Sequence, residues 1–369
     1  MNKQLKTIFH IDLNAFYASV EMIIDPNLKT KVFAVGGGLN FSRGGVLTTA
    51  SYNARKYGIH SGMSVYEAYQ KYPNLIVVPN KRKEYQKYSE IFMETLKTFT
   101  KQLLQASIDE AYLDVTEIVK NKSPELLAKE IQDKLLEKEL PSSIGIGSTL
   151  FLAKMASDFK KPLGITTINE ENIKKLLYPL DVGEVHGIGT KTKERLNEVG
   201  IITISDFMSQ ENKEKIIRTI GINSYISRRD DLLGTSSDFV DIYKYEIPKS
   251  ISNETTLSFD LDNRDLLKEE LDQLFVRTHQ RLLQEKLLCR SVFIKLRNNK
   301  FATKTKTQTL LKETNDYLTL FEMMSDLFEE LFSEEPTRLI GVGFSNIVHL
   351  DEVKVDRTIF NYRELDKKD

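Results

Sequence analysis

Residues 107–114 read SIDEAYLD, and in that run two acids, Asp109 and Glu110, stand side by side among residues that favour strands. Leu103 and Leu104 precede the run and Val115 follows it, so the stretch reads as a strand or hairpin edge that carries carboxylates. Successive strand side chains point to opposite faces, so at least one of the two acids must meet water or a compensating partner. Burying an unpaired carboxylate is costly, and a bound cation is its natural partner. Far upstream, a strand-like run over residues 7–11 ends in Asp12 and opens into AFYASVE, residues 15–21. Three carboxylates from two distant segments make a candidate site for a divalent metal at one sheet edge. On the residues alone, an Asp-Glu pair also reads simply as surface carboxylates beside an Arg or Lys.

A chain of 369 residues has room for two to four domains with sizeable cores. Its 40% hydrophobic and 28% charged residues are those of an ordinary globular protein. No apolar run approaches the ~18 residues that span a membrane, and His10, Asp12 and Asn14 interrupt any signal-peptide core after Lys3 and Lys6. The single cysteine, Cys289, makes no internal disulfide and fits a cytoplasmic location. One cysteine and five scattered histidines argue against a structural zinc site. The net charge of −1 hides a segregation: residues 286–312 hold eight Lys or Arg and no acid, and residues 313–335 hold eight Asp or Glu and no base. Such blocks create local fields that the net charge does not report, or are the solvated faces of one small domain.

Element types alternate along the first part of the chain. A strand at 7–11 leads into a helix over 15–24, then a Gly-rich segment with strands over 32–78. A helix over 84–102 follows, with Tyr88, Ile91, Phe92, Leu96 and Phe99 at helical spacing. Next come the SIDEAYLD hairpin, a helix from Pro124 and a strand over 142–148. Without 32–78 the order is β-α-β-β-α-β, a ferredoxin-like split βαβ with an insertion, in an α+β fold. Residues 169–232 read as short amphipathic helices, and 234–238 as a linker. A second β-α-β-β-α-β order follows, with helices over 265–284 and 315–332 and strands over 251–259, 291–297, 303–311 and 338–344. The tail from Asp351 is charged.

DLNAFYASVE (12–21), TTASYNARKYGI (48–59), SIDEAYLD (107–114) and FLAKMASDFKKPLG (151–164) occur in the order seen in Y-family DNA polymerases. The chain resembles that family, and within it the lesion-bypass polymerase IV branch, over nearly its whole length. The resemblance implies a palm (residues 1–24 and 80–168), inserted fingers (25–79), and a small helical thumb (169–235) with a helix-hairpin-helix. A linker (236–245), a second βαββαβ domain or little finger (246–350), and a flexible tail (351–369) would follow. It implies low-fidelity translesion synthesis without proofreading by a likewise cytoplasmic enzyme acting as a monomer, with primer-template DNA and dNTP as its partners and no membrane. One point departs from the branch: Asn14 stands where polymerase IV proteins usually have Asp, as in the catalytic subunit of polymerase V.

The resemblance makes Asp12, Asp109 and Glu110 the catalytic metal ligands, with the Leu13 carbonyl completing one shell. Two Mg²⁺ held about 4 Å apart can activate a 3′-hydroxyl and stabilise departing pyrophosphate, and oxygen ligands suit magnesium. Tyr17 would be the steric gate against a ribose 2′-hydroxyl, although it also reads as a core aromatic of its helix. Thr49, Tyr52, Arg55 and Lys161 match residues that hold the triphosphate, through forked Arg donors and a Lys point charge.

For DNA, VHGIGTKTKERL (185–196) resembles a helix-hairpin-helix in which Gly187 and Gly189 let backbone approach a phosphate and Lys191 and Lys193 add charge. In KSISNETTLSFDL (249–261), Ser250 matches a template-phosphate contact. Lys295 and Arg297 lie two apart on one strand, and Lys304 and Lys306 on the next, so each pair faces one side of a sheet that could ride phosphates. In the tail, DRTIFNY (356–362) resembles a degraded sliding-clamp peptide that keeps Ile359 and Phe360. A purine-nucleotide cyclase also uses a ferredoxin-like palm with metal-binding carboxylates, but it leaves the hairpin-helix and the basic second domain without a role.

Overall fold

The computed structural model describes residues 6–37, 45–236 and 239–352. The chain divides into two compact units, Met1–Lys244 and Tyr245–Asp369.

The first unit starts with β1 (Ile8–Leu13) and α1 (Phe16–Ile24). An inserted segment follows: β2 (Phe33–Gly36), β3 (Leu47–Ala50), α2 (Tyr52–Arg55), α3 (Val65–Lys71) and β4 (Ile76–Val78). The chain returns through α4 (Arg82–Lys97), β5 (Leu103–Gln105), β6 (Glu110–Asp114), α5 (Pro124–Leu136), β7 (Ser142–Gly147), α6 (Leu150–Asp158) and β8 (Ile165–Thr167). Five helices complete it: α7 (Ile173–Leu177), α8 (Thr190–Glu198), α9 (Ile204–Met208), α10 (Lys213–Ile220) and α11 (Ile222–Leu233).

One sheet runs β5-β6-β1-β7-β8, and another, from the insertion, runs β3-β2-β4. The first four strands of the larger sheet pair antiparallel in the ferredoxin-like order. To these β8 adds a fifth strand, parallel to β7, that the sequence pattern did not show. The helix expected over 84–102 ends at Lys97, because residues 103–105 are needed as β5. SIDEAYLD turns extended only at Glu110, so Asp109 sits in the bend that opens β6 rather than on the strand.

All six residues of β1 are buried because both faces of its sheet are covered. Phe9, Ile11 and Leu13 enter a core with Phe92 and Leu96 of α4 and Leu127 and Ile131 of α5. Ile8 faces the other way, against Leu150 and Ala153 of α6, and alternation puts His10 and Asp12 on that same α6 face. The strand SSIGIG makes this close packing feasible. A Cβ on Gly145 would lie 2.0 Å from the Ala153 carbonyl oxygen, and one on Gly147 would lie 2.6 Å from the Ala153 nitrogen. The helical segment has its own core of Ile173, Leu177, Val182, Leu196, Ile204, Phe207 and Tyr225, which also takes in Phe151 and Met155 of α6.

The second unit comprises β9 (Ser250–Leu261), α12 (Arg264–Gln284), β10 (Leu287–Asn298), β11 (Thr303–Thr314), α13 (Tyr317–Leu331) and β12 (Thr337–His349). The element order repeats that of the first unit, but the sheet order does not: it runs β11-β10-β12-β9, antiparallel throughout. Leu271 and Phe275 of α12 and Leu320, Met324 and Phe328 of α13 share one core with Val292, Ile294, Ile340, Val342 and Phe344. Both helices therefore cover the same face. The opposite face carries Ser252, Glu254, Lys295, Arg297 and Thr303.

Candidate active site

Asp12 and Glu110 are direct partners across β1 and β6, and cross-strand partners share a face. Both point towards α6. Its Lys154 ammonium lies 2.7 Å from Glu110 Oε1, 3.4 Å from Asp12 Oδ2 and 3.6 Å from Asp158 Oδ2. Lys161, on the loop after α6, places its ammonium 2.8 Å from Asp12 Oδ2 and 2.8 Å from Asp158 Oδ1. Asp109 is tied to the end of β1 through its backbone, accepting a hydrogen bond from Leu13 N at 3.0 Å. Its carboxylate accepts from Ser107 Oγ at 2.6 Å. Lys154 has no place in the sequence reading. Its signal was there, since Lys154, Asp158 and Lys161 are spaced four and three apart, one face of a helical turn.

The electrostatics of this cluster push its two facing acids apart. Burial, reinforced by the neighbouring Glu110 and opposed by the two lysines, pushes Asp12 up to about 7. Glu110 goes the other way: burial works against its charged form, but the neighbouring His10 and Asp12 and the Lys154 ammonium hold it far below the usual carboxylate range. Burial also raises Asp109, against its bond from Ser107. Burial alone would lower both lysines, but their carboxylate neighbours raise them, so both stay charged. His10 is kept neutral by burial. Its Nδ1 lies 2.8 Å from Ser157 Oγ, and that hydroxyl already donates to the Lys154 carbonyl.

The donor set fits a hard divalent cation: carboxylates and a neighbouring carbonyl, all oxygen. Among the described residues, no three His, Cys, Asp or Glu side chains already converge as a ligand cage. Asp12 and Glu110 are instead turned onto lysines.

Ala15, in the left-handed region at φ 45, turns the chain from β1 into α1. Tyr17 follows, its ring 4.6 Å from that of Tyr85. The Tyr85 hydroxyl donates to Glu21 Oε1 at 2.7 Å, and Lys81 Nζ donates to Glu21 Oε2 at 2.6 Å, so a buried carboxylate braces the aromatic pair. Tyr17, Tyr85, Thr48, Arg82 and Ile108 line a cleft of about 450 Å³. Thr48 therefore faces this cleft, while its neighbour Thr49 is buried on β3. Burial raises Tyr17, and the Asp109 charge adds to that.

The Arg55 guanidinium stacks 4.9 Å above the Tyr52 ring, and its Nε donates to the Ala50 carbonyl at 3.1 Å. The Tyr52 hydroxyl is buried and has no hydrogen-bond partner. Burial raises it, and it also feels Arg55, Lys161 and Asp12. A buried hydroxyl left unsatisfied beside a guanidinium suits an anionic ligand.

Asn14 proves to be a buried hub. Its Nδ2 donates to Ser143 Oγ at 2.9 Å, and its Oδ1 accepts from Leu163 N at 2.8 Å. It thereby ties the loop that carries Lys161 to the end of β1.

Of the remaining candidates in the first unit, Gly187 lies in the left-handed region at φ 90, and a Cβ there would come within 2.9 Å of the Arg228 guanidinium. Gly189 caps α8 with nothing within 4 Å of a would-be Cβ. Lys191 is exposed, whereas Lys193 is held 3.0 Å from Asp181. In the second unit Ser250 is an exposed residue at the start of β9. The four basic residues do not share a face there. Lys304 pairs with Leu296 and Lys306 with Ile294, on the helix side, while Lys295 and Arg297 pair with Thr305 and Thr303 on the open side. Lys295 contacts Glu254 at 2.7 Å, and Lys306 pairs with Glu330. Ile359 and Phe360 lie outside the described residues.

Residues 11–158 match the impB/mucB/samB family, residues 248–356 its C-terminal domain, and residues 170–201 the IMS family HHH motif. DNA polymerase IV of Bacillus velezensis is 36% identical over 369 residues, covering 99% of this chain and 87% of its own. DNA polymerase IV of Ureaplasma parvum is 34% identical, with coverage of 98% and 99%. Among solved structures, a Y-family DNA polymerase chimera built on Dbh matches with a TM-score of 0.82 and 26% identity over 93% of this chain and 99% of its own. An insertion ternary complex of Dbh DNA polymerase matches with a TM-score of 0.67 and 25% identity at the same coverage.

Proposed function

Because the chain belongs to the impB/mucB/samB family of Y-family DNA polymerases, and is a DNA-directed DNA polymerase of the damage-bypass kind, we propose that it extends a primer 3′-hydroxyl with dNTPs opposite template lesions, using two Mg²⁺ and no proofreading. Its family is divalent-metal dependent. The observation that carries the reading is the meeting of Asp12 and Glu110 across β1 and β6.

Asp12, Asp109, Glu110 and the Leu13 carbonyl would hold the ions. When bound, the ions would activate the 3′-hydroxyl and neutralise the departing pyrophosphate. Lys161 would leave Asp12 for the triphosphate, joined by Arg55, Thr49 and the unpartnered Tyr52 hydroxyl. The Tyr17 ring, braced by Tyr85 and Glu21, would lie under the sugar and exclude a 2′-hydroxyl. We assign the palm to residues 1–24 and 80–168, fingers to 25–79, thumb to 169–235, linker to 236–245 and little finger to 246–350. Ternary complexes among the solved relatives support primer-template DNA and dNTP as ligands. The open Gly189 end of α8 and the Ser250, Lys295 and Arg297 face of the second sheet would carry DNA phosphates. Ile359 and Phe360 would dock on a sliding clamp.

Primer extension on a defined template tests this. Asp109→Ala and Glu110→Ala should abolish extension and keep DNA binding, and a 3′-labelled primer should survive without dNTP. Extension retained in either variant would remove the assigned acids from the chemistry, and degradation of the label would show proofreading.

A further inference from the structure

Two lysines neutralise the carboxylates, but they are built differently. Lys161 sits on a loop, its side chain 26% exposed, and can leave for an anion. Lys154 cannot. It is 8% exposed in the middle of α6, whose residues from Leu150 to Ser157 are all buried. Gly145 and Gly147 seat that helix so tightly on the sheet that no Cβ fits between them. The Lys154 ammonium therefore stays between Glu110 at 2.7 Å, Asp12 at 3.4 Å and Asp158 at 3.6 Å.

We propose that Lys154 is the built-in counter-cation of this carboxylate site: it holds Asp12 and Glu110 together when no divalent ion is bound and sets how weakly the site takes one before a nucleotide arrives. The proposal rests on the reading of these acids as metal ligands. Lys154 is a positioning residue here, acting through the carboxylates. A divalent ion and a fixed ammonium within contact distance of the same oxygens compete by simple repulsion. Removing one full charge that close should change the ion's affinity at least about tenfold, even with strong screening. Weak binding by the free enzyme then gives way only when a triphosphate draws Lys161 off Asp12.

The test uses the full chain without DNA or nucleotide, so it does not depend on turnover. Ca²⁺ and Mg²⁺ are titrated by calorimetry and by thermal shift into the wild type, Lys154→Met and Lys154→Arg. Lys154→Met should melt below wild type in chelator, regain the difference in Ca²⁺, and half-saturate at about a tenfold lower Ca²⁺ concentration or less. Lys154→Arg, which keeps the charge, should behave as wild type. Equal or weaker binding by Lys154→Met would overturn the role of Lys154 while leaving the metal-site reading intact. No response to either ion in any of the three proteins would overturn both. If Lys154→Met is unfolded in chelator, folding on addition of Ca²⁺ supports the proposal, and failure to fold in excess Ca²⁺ refutes it.

Discussion

Asn14 is the position where the sequence departs from the polymerase IV pattern, and its surroundings allow a worked prediction for Asn14→Ala. Its amide satisfies Ser143 Oγ, on a fully buried serine, and the backbone N–H of Leu163. Removing the amide leaves both without their partner. A buried unsatisfied group costs about 1–3 kcal/mol, and the Leu163 N–H, nearer the surface, costs less because water can reach it. The sum is a loss of about 2–4 kcal/mol. In a unit of this size that lowers the melting temperature by roughly 4–8 °C. Asn14→Asp keeps an acceptor for Leu163 N and can accept from Ser143, so it should cost less than Asn14→Ala. The same tether fixes the loop that places Lys161 at 2.8 Å from Asp12. Single-nucleotide insertion should therefore show a raised KM for dNTP with a smaller change in kcat. The effects of Asn14→Ala and Lys161→Ala should fail to add, since both act through one ammonium. Urea melts within about 0.5 kcal/mol of wild type, or fully additive kinetic losses, would refute the tether.

Three further outcomes are expected. Tyr17→Ala should raise the ratio of ribonucleotide to deoxynucleotide insertion by at least about tenfold, and an unchanged ratio would show that another side chain guards the sugar. DNA affinity should fall steeply with salt, and Lys295→Ala and Arg297→Ala should each lower the slope by about 1. Lys304→Ala and Lys306→Ala should lower it less, and equal slopes for all four would mean that DNA contacts the β11 edge rather than the open face. Paired substitution of Ile359 and Phe360 by Ala should abolish stimulation by a sliding clamp while leaving unstimulated extension intact; persistent stimulation would remove the tail from that role.

The helices were legible because their local period and their tertiary burial agree. The stripe through Leu267, Leu271, Leu274, Phe275 and Leu282 predicts 265–284, and the helix is Arg264–Gln284. Strands were less legible. The reading placed one over 291–297 where β10 spans Leu287–Asn298, since Arg290 and Asn298 look like breaks until neighbouring strands supply their hydrogen bonds. The repeated element order also concealed two different sheets, because strand order is a non-local property that period-two patterns do not encode. In the site, Asp12 and Glu110 were readable from their motifs. Spacing puts Lys154 on one turn with Asp158 and Lys161, but its contact with Asp12 and Glu110 depends on two glycines in another strand that set the height of α6.

The basic residues of the second unit show most sharply what a pattern lacks. Spacing of two fixes that Lys295 and Arg297 share a side, and likewise Lys304 and Lys306. It says nothing of whether the two pairs share it with each other. That is decided at the turn, where Arg297 meets Thr303 and Asn298 N bonds the Ala302 carbonyl at 3.0 Å. A connection one residue longer or shorter would have put all four cations on one face. As built, the open face receives Lys295 and Arg297 beside Ser252, Glu254 and Thr303, with Lys295 paired to Glu254. Lys304 and Lys306 lie on the edge strand within reach of Glu335 and Glu330. Lysines there guard a sheet edge against pairing with another chain. A DNA-binding role and an edge-protecting role thus follow from the same residue type at the same spacing, separated only by register.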